Sequence, residues 1–243
     1  MLLRLQFALI CTGMLLLPVL SFAVQTPSSL LSEPQQRDDY HWLSRHNAVL
    51  ERHTRVKPDV VFIGDSITHH WGGEPKGARV VSQASWDSLF KGMCASNLGF
   101  GFDYVDNAFY RVQQGELDGI SPRLILVNVG TNNLGFRGDS PEGCAANIAA
   151  LVALIREKQP QAKILLIGIY PRREVALRSK IAETNARIQQ LENGDCVRFI
   201  DLGSVLAGKD GLANPALFRD TVHPNAKGYE VLAKALRPYL EQE

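Results

Sequence analysis

The sequence has little of what several specialised chemistries need. Only 4 of its 243 residues are cysteine, and no two stand in a Cys-x-x-Cys spacing, so neither a dithiol redox motif nor a zinc cluster is supported. Neither sign of charge is in excess: 26 lysines and arginines face 25 aspartates and glutamates. With no basic tract, nucleic acid is excluded as the main partner, because phosphate binding needs clustered cations. No internal repeat or low-complexity segment is present, which excludes solenoid and fibrous architectures. What remains is ordinary globular composition, 45% apolar and 21% charged, in a length that suits one large domain.

One long hydrophobic run stands at the start. Met1 to Arg4 carries a positive charge, Leu5 to Leu20 is mostly apolar, and Ser21-Phe22-Ala23 ends in the small residues that a signal peptidase reads. Residues 1–23 therefore read as an export signal cut after Ala23, with Pro18 breaking the apolar helix near the cut. An uncleaved membrane anchor is the alternative, weakened by Gln6, Thr12, Gly13 and Pro18. Cleavage predicts a periplasmic or secreted chain with no stable membrane association. It leaves Cys94, Cys144 and Cys196, an odd set with at least one free thiol, read mainly as small buried side chains.

Residues 24–34 are polar, with serine and proline, and read as a linker to one domain spanning 35–243. Gln36 to Arg55 has helix-like spacing at Tyr40, Leu43, Asn47 and Leu50, which predicts an opening helix packed on the surface, with His41, His46 and His53 exposed. After Pro58, short apolar runs alternate with longer amphipathic stretches. The runs are Val60 to Ile63, Ser96 to Gly99, Leu124 to Val129, Ile164 to Ile169 and Val197 to Ile200. Most do not alternate in polarity, as expected of strands buried on both faces. The helical stretches are Pro141 to Lys158, Glu174 to Leu191 and Asn225 to Leu240. Strand–helix–strand repetition predicts a five-stranded parallel sheet in a three-layer α/β/α sandwich.

Ligands of such sheets bind beyond the carboxyl ends of the strands, and four predicted strand ends or loops carry suitable polar groups. The first strand runs into Gly64-Asp65-Ser66-Ile67-Thr68, where glycine permits the tight turn that presents Ser66. The second leads into Asn97-Leu98-Gly99-Phe100-Gly101-Phe102-Asp103, able to aim a backbone N–H. The third ends Gly130-Thr131-Asn132-Asn133, and the last loop reads Asp220-Thr221-Val222-His223-Pro224. A serine needs a base to take its proton, histidine is the usual one, and a carboxylate fixes that histidine's tautomer. Ser66, His223 and Asp220 fit those roles. Charge building on an attacked carbonyl oxygen needs donors, which Ser66, the glycine loop and Asn132 can supply.

Together these segments resemble, in order, the four sequence blocks of the SGNH (GDSL-type) esterase/acylhydrolase superfamily, over roughly Asp59 to Leu240. The second block, with its Asn107-Ala108-Phe109-Tyr110-Arg111 tail, is similar to the branch containing platelet-activating-factor acetylhydrolase-like subunits. The resemblance implies a flavodoxin-like SGNH fold. It also implies a catalytic triad of Ser66, Asp220 and His223, and an oxyanion hole from the amide of Ser66, a second-block amide and the side chain of Asn132. One position departs from the family: its glycine before the aspartate is Phe102 here, where a positive φ is costly, so Gly101 and Phe102 stand as alternative donors.

Asp65, His69, Trp71 and Tyr170 are candidates for the substrate-binding walls, with ordinary packing as the competing reading for His69 and Trp71. The long segment Trp71 to Met93, with Trp86 and Phe90, is expected to shape the substrate site. Adjacent histidines at 69 and 70 cannot point one way from a helix, so no metal site is expected there. Gly138-Asp139-Ser140 repeats the first block's sequence, but Pro141 and Glu142 after it predict a helix cap. The function expected by resemblance is hydrolysis of a short, acetyl-type carboxylic ester, carbohydrate acetate leading, with no metal or organic cofactor. Acyl transfer to a carbohydrate or alcohol, and a non-catalytic ligand-binding relative, are the alternatives.

Overall fold

The computed structural model describes residues 40–242. The expected export signal, the linker and positions 36–39 of the opening helix lie outside the described residues. In chain order the elements are α1 (Trp42–Arg55), β1 (Val60–Gly64), α2 (Ser66–His69), α3 (Gln83–Leu89), β2 (Ala95–Gly99) and α4 (Val105–Arg111). Then follow β3 (Leu124–Asn128), α5 (Pro141–Lys158), β4 (Lys163–Ile167), α6 (Val175–Gln189), β5 (Val197–Ile200), α7 (Gly203–Leu206) and α8 (Ala226–Glu241). After α4 the chain runs on through Val112–Glu116 with a kink at Gln114 and Gly115, and Asn133–Arg137 forms a π-helical turn.

All five strands are parallel, in the order β2-β1-β3-β4-β5. Alternate side chains leave a strand on opposite faces, and both faces are covered. Val61, Ile63, Leu98, Ile125 and Val127 pack under α1, α4, α5 and α6. Val60, Phe62, Leu124, Leu126 and Leu165 pack under α3, α7 and α8. The expected α/β/α sandwich is therefore the observed one, and it explains why the strands read as unbroken apolar runs.

The opening helix departs from expectation. Its buried stripe is Trp42, Arg45, His46, Val49 and His53, whereas Leu43 is 53% exposed and Asn47 also faces solvent. The true stripe is rotated from the apolar spacing because its polar members find partners: His46 Nδ1 lies 2.8 Å from Glu116 Oε1, and His53 Nδ1 2.9 Å from the Glu116 carbonyl. Buried polar groups with such bonds are tolerated in a core. Of the three histidines, only His41 lies on the surface.

The segment after α2 also packs inward. Trp71 is 1% exposed; its indole N–H donates to Ser85 Oγ at 2.8 Å, and its ring lies 5.0 Å from that of Tyr229. Trp86 and Phe90 join the same core. These rings fill the layer between the sheet and α3/α8, so they do not line a substrate site. Ser140 caps α5, accepting from the Gly143 N–H at 3.1 Å with Pro141 in the first turn, which accounts for the second Gly-Asp-Ser. Cys94, Cys144 and Cys196 are free thiols, and only Cys144 is fully buried.

Register brings the functional loops together. Gly99, Gly64 and Asn128 stand side by side at the carboxyl ends of β2, β1 and β3. From β1 the chain goes outward to β2, then back across to β3, so the strand order reverses beside β1. That reversal opens a crevice where ligands of doubly wound sheets bind. Two glycines permit the closeness: a Cβ on Gly64 would meet Thr68 Oγ1 at 2.1 Å, and one on Gly99 would meet the His69 nitrogen at 2.2 Å.

Candidate active site

Ser66 is the first residue of α2, directly beyond β1, and Asp65 caps that short helix by accepting from the Ile67 N–H at 2.9 Å. Across the crevice, residues 217–225 fold back on themselves through an Arg219 N–H to His223 carbonyl bond of 3.0 Å and an Asn225 N–H to Leu217 carbonyl bond of 2.9 Å. Within that turn Asp220 Oδ1 accepts from the N–H groups of Val222 and His223, at 2.8 and 2.7 Å. The carboxylate's orientation is fixed by its own loop.

The fold brings three side chains from distant parts of the chain into one hydrogen-bonded row. His223 Nδ1 lies 2.8 Å from Asp220 Oδ2, and His223 Nε2 lies 2.8 Å from Ser66 Oγ. A carboxylate only accepts, so the imidazole proton belongs on Nδ1, leaving Nε2 to accept from the serine hydroxyl. Burial pushes Asp220 upward, but the backbone N–H groups of His223 and Val222 and the imidazole outweigh it, holding the carboxyl below its ordinary value. Burial is also the main influence on His223 and lowers it; Asp220 offsets part of that, while Arg219 and Arg172 lower it further. The net effect favours a neutral imidazole beside an ionised carboxylate, as a general base requires.

Gly101 and Phe102, the two alternative donors, differ in their surroundings on the loop after β2. The Gly101 N–H donates to His69 Nδ1 at 3.1 Å, so it is not directed at the crevice and is withdrawn as an oxyanion donor. Phe102 has φ +62°, the only non-glycine residue at positive φ among the described residues. The loop thus keeps a left-handed, glycine-like geometry with a phenylalanine in place. Such strain costs about 1–3 kcal/mol and persists where the surroundings impose it. Asn132 is buried, and its Nδ2 donates to the Asp103 carbonyl at 2.9 Å, fixing its amide plane and leaving a second N–H on the same nitrogen. Asn133 is a structural residue: its Oδ1 accepts from the Val105 N–H at 3.0 Å.

The four expected substrate-wall residues are packed inside. Asp65, His69, Trp71 and Tyr170 are each only 1–2% exposed. Asp65 holds its helix cap, and burial pushes its carboxyl up to about 7. His69 supports the Gly101 amide, and burial pushes its imidazole down to about 2. Tyr170 sits in the core on the side of the sheet that α3, α7 and α8 cover. Their positions next to the blocks reflect support of the site, and sequence proximity could not separate support from contact.

Several further residues bear on the site, and the sequence assigns none of them the contacts seen here. Arg111 is wholly buried; it donates to Asp103 Oδ2 at 2.8 Å, to Glu116, and to the Gly64 carbonyl at 3.4 Å, with its guanidinium 3.9 Å over Phe100. It thereby ties the Ser66 turn to the loop carrying Phe102. Phe136, 60% exposed on the turn after Asn132, lies 6.2 Å from the half-exposed Phe102 ring. Arg172, 4% exposed, pairs with Glu174 and stacks over Phe136. Arg219 donates to His70 Nδ1 at 2.9 Å. Only their adjacency to the blocks could have drawn notice. Among the described residues no cluster of histidine, cysteine, aspartate or glutamate could hold a metal ion, and no helix is long and apolar enough to cross a membrane.

Comparison with known proteins adds three findings. The model of the GDSL-like Lipase/Acylhydrolase family matches residues 62–231. The platelet-activating factor acetylhydrolase IB subunit alpha2 of Rattus norvegicus is 33% identical over 217 residues, 87% of this chain and 88% of that protein. Among solved structures, a GDSL-like lipase from Bacteroides thetaiotaomicron superposes with TM-score 0.65 at 20% identity, over 82% of this chain and 98% of its own. A carbohydrate acetylesterase from Sinorhizobium meliloti superposes with TM-score 0.58 at 16% identity, over 75% and 98%.

Proposed function

Because the chain belongs to the GDSL-like lipase/acylhydrolase family, and so is a carboxylic ester hydrolase, we propose that it works through an acyl-enzyme formed on Ser66. The observation that carries this is the unbroken row Ser66–His223–Asp220, with both contacts at 2.8 Å. In the first half-reaction Ser66 Oγ attacks the ester carbonyl carbon while His223 Nε2 takes the hydroxyl proton. The carbonyl oxygen becomes an oxyanion, which the amides of Ser66 and Phe102 and the second N–H of Asn132 stabilise. Asp220 keeps Nδ1–H in place and stabilises the imidazolium. As the carbon–oxygen bond to the alcohol breaks, His223 returns the proton to the departing oxygen. Water then adds to the acyl-enzyme with the same proton movements, releasing the acid and restoring Ser66.

The substrate we propose is a short acyl ester, with acetyl on a carbohydrate leading. Its support is the naming of an acetylhydrolase among the relatives and a carbohydrate acetylesterase among the structural neighbours. We propose further that the protein is exported, on the charge, apolar run and small residues of Met1 to Ala23; a mature chain that begins near Val24 would support this, and an intact leader would not.

A panel of acetate, butyrate and sugar-acetate esters, run with wild type and Ser66→Ala, tests the assignment. Turnover should fall by at least about 10³-fold in the variant while its melting temperature holds. Undiminished turnover would reject Ser66 as the nucleophile.

A further inference from the structure

The contacts around Ser66 close into a ring that is longer than the row of three. Beyond Asp220 the chain of side chains continues: Arg219 Nε lies 3.6 Å from Asp220 Oδ2, and Arg219 Nη2 donates to His70 Nδ1 at 2.9 Å. His70 in turn caps α2, its backbone N–H bonding the Ser66 carbonyl at 2.9 Å. The turn holding Asp220 and His223 is thus joined to the serine's helix at two points, His223 to Ser66 and Arg219 to His70. We infer that Arg219, latched to His70, is a positioning residue of this site: it holds that turn in register with Ser66 and keeps a permanent positive charge beside the Asp220–His223 pair. This inference rests on the reading of Ser66, His223 and Asp220 given above.

The chemistry of the latch follows from the donor inventory. A guanidinium has no acceptor, so His70 Nδ1 must carry a lone pair and the ring must be neutral, with its proton on Nε2. Burial, and the charges of His223, Arg219, Arg79 and Arg45, push His70 down to about 3, so the latch stays closed through the pH range of an esterase assay. The charge also has a definite target. Asp220 Oδ2 is the same oxygen that accepts from His223 Nδ1, so a protonated His223 shares it with Arg219. The groups acting on His223 are Asp220, which favours its charged form, and Arg219 and Arg172, which oppose it, with the neutral His70 ring 5.4 Å away. Arg219 therefore tempers the carboxylate's hold on the imidazolium, which helps His223 surrender its proton to the leaving alcohol.

The test compares Arg219→Gln, Arg219→Lys and His70→Leu with wild type and Ser66→Ala in the full chain, measuring kcat, KM and the pH profile on an acetate ester. Arg219→Gln should move the acid limb upward by about half a pH unit and lower kcat roughly three- to tenfold with KM nearly unchanged. Arg219→Lys should keep the acid limb near its wild-type position. His70→Leu should lower kcat to a similar degree, and combining it with Arg219→Gln should add little, since both break one latch. Melting curves establish that each variant is folded; should Arg219→Gln fold poorly, the Arg219→Lys profile and the His70→Leu kcat still decide. An acid limb and kcat unmoved in Arg219→Gln, with Ser66→Ala inactive, would overturn the positioning role alone. An active Ser66→Ala would overturn the reading beneath it.

Discussion

His69 Nδ1 accepts from the N–H of Gly101 across 3.1 Å, joining the helical turn that carries Ser66 to the loop that carries Phe102. The contact turns the Gly101 N–H towards His69, and the next residue, Phe102, has a left-handed φ of +62°. The His69 ring packs edge-on against Tyr40 at 4.8 Å, and the Tyr40 hydroxyl donates to the Gly101 carbonyl at 3.0 Å.

Replacing His69 with phenylalanine keeps the ring but removes the acceptor, stranding the Gly101 amide in a buried place. A loss of about 1–3 kcal/mol is expected, with kcat falling because the Phe102 loop is no longer fixed. Urea titration alongside steady-state kinetics checks both; a variant as stable and as active as wild type would deny His69 this part.

The pH profile should report His223. Its pKa is lowered in the folded protein, so the neutral, proton-accepting form persists to lower pH than for an ordinary histidine at 6.5. Activity should be level through neutrality and fall on acidification, with its midpoint below 6.5. Asp220 is lowered as well, which favours its charged form beside the imidazole. A midpoint above 6.5 in kcat/KM would contradict the assigned base.

Phe102 separates backbone geometry from side-chain chemistry. Phe102→Gly relieves a left-handed residue and should leave stability within about 1 kcal/mol of wild type, with hydrolysis retained. Proline at the same position fixes φ near −65° and deletes the N–H, so Phe102→Pro should lower kcat by roughly 10²-fold or more. Equal turnover in the two variants would remove the Phe102 amide from the oxyanion hole.

Arg111 should matter to folding more than any surface cation. Arg111, Asp103 and Glu116 have fully buried side chains, and removing one partner of such a group leaves uncompensated charge. Arg111→Met is expected to cost on the order of 3–5 kcal/mol, whereas Arg187→Met, at an exposed surface pair, should cost far less. Denaturant midpoints of the two variants provide the comparison, and similar losses would mean that the buried network is not integral to the fold.

Much of this architecture is legible in the order of the residues. Five apolar runs separated by amphipathic stretches dictate a parallel sheet covered on both sides, because a strand without a polar face has nowhere else to lie. Ser66, Asn132, Asp220 and His223 are legible as well, since each stands at a strand end or turn where a reactive polar group gains nothing for the core. Less was legible wherever burial and charge combined. The buried stripe of α1 lies one position out of phase with its apolar spacing, because Arg45, His46 and His53 look like surface residues until Glu116 and the carbonyls of Gly99 and Asn97 are brought to them.

The sequence by itself determined the layering, the strand set and the chemistry on offer at the sheet's edge, all of which follow from polarity and spacing along the chain. Tertiary structure alone decided which groups meet: that His223 reaches Ser66 across 157 positions, that Gly101 turns to His69 so that Phe102 takes the strained place, and that Trp71 goes to the core. The reason is physical. Hydrophobic periodicity is a property of neighbours in the chain, whereas a hydrogen bond between distant segments depends on register and close packing, which exist only once the sheet has formed.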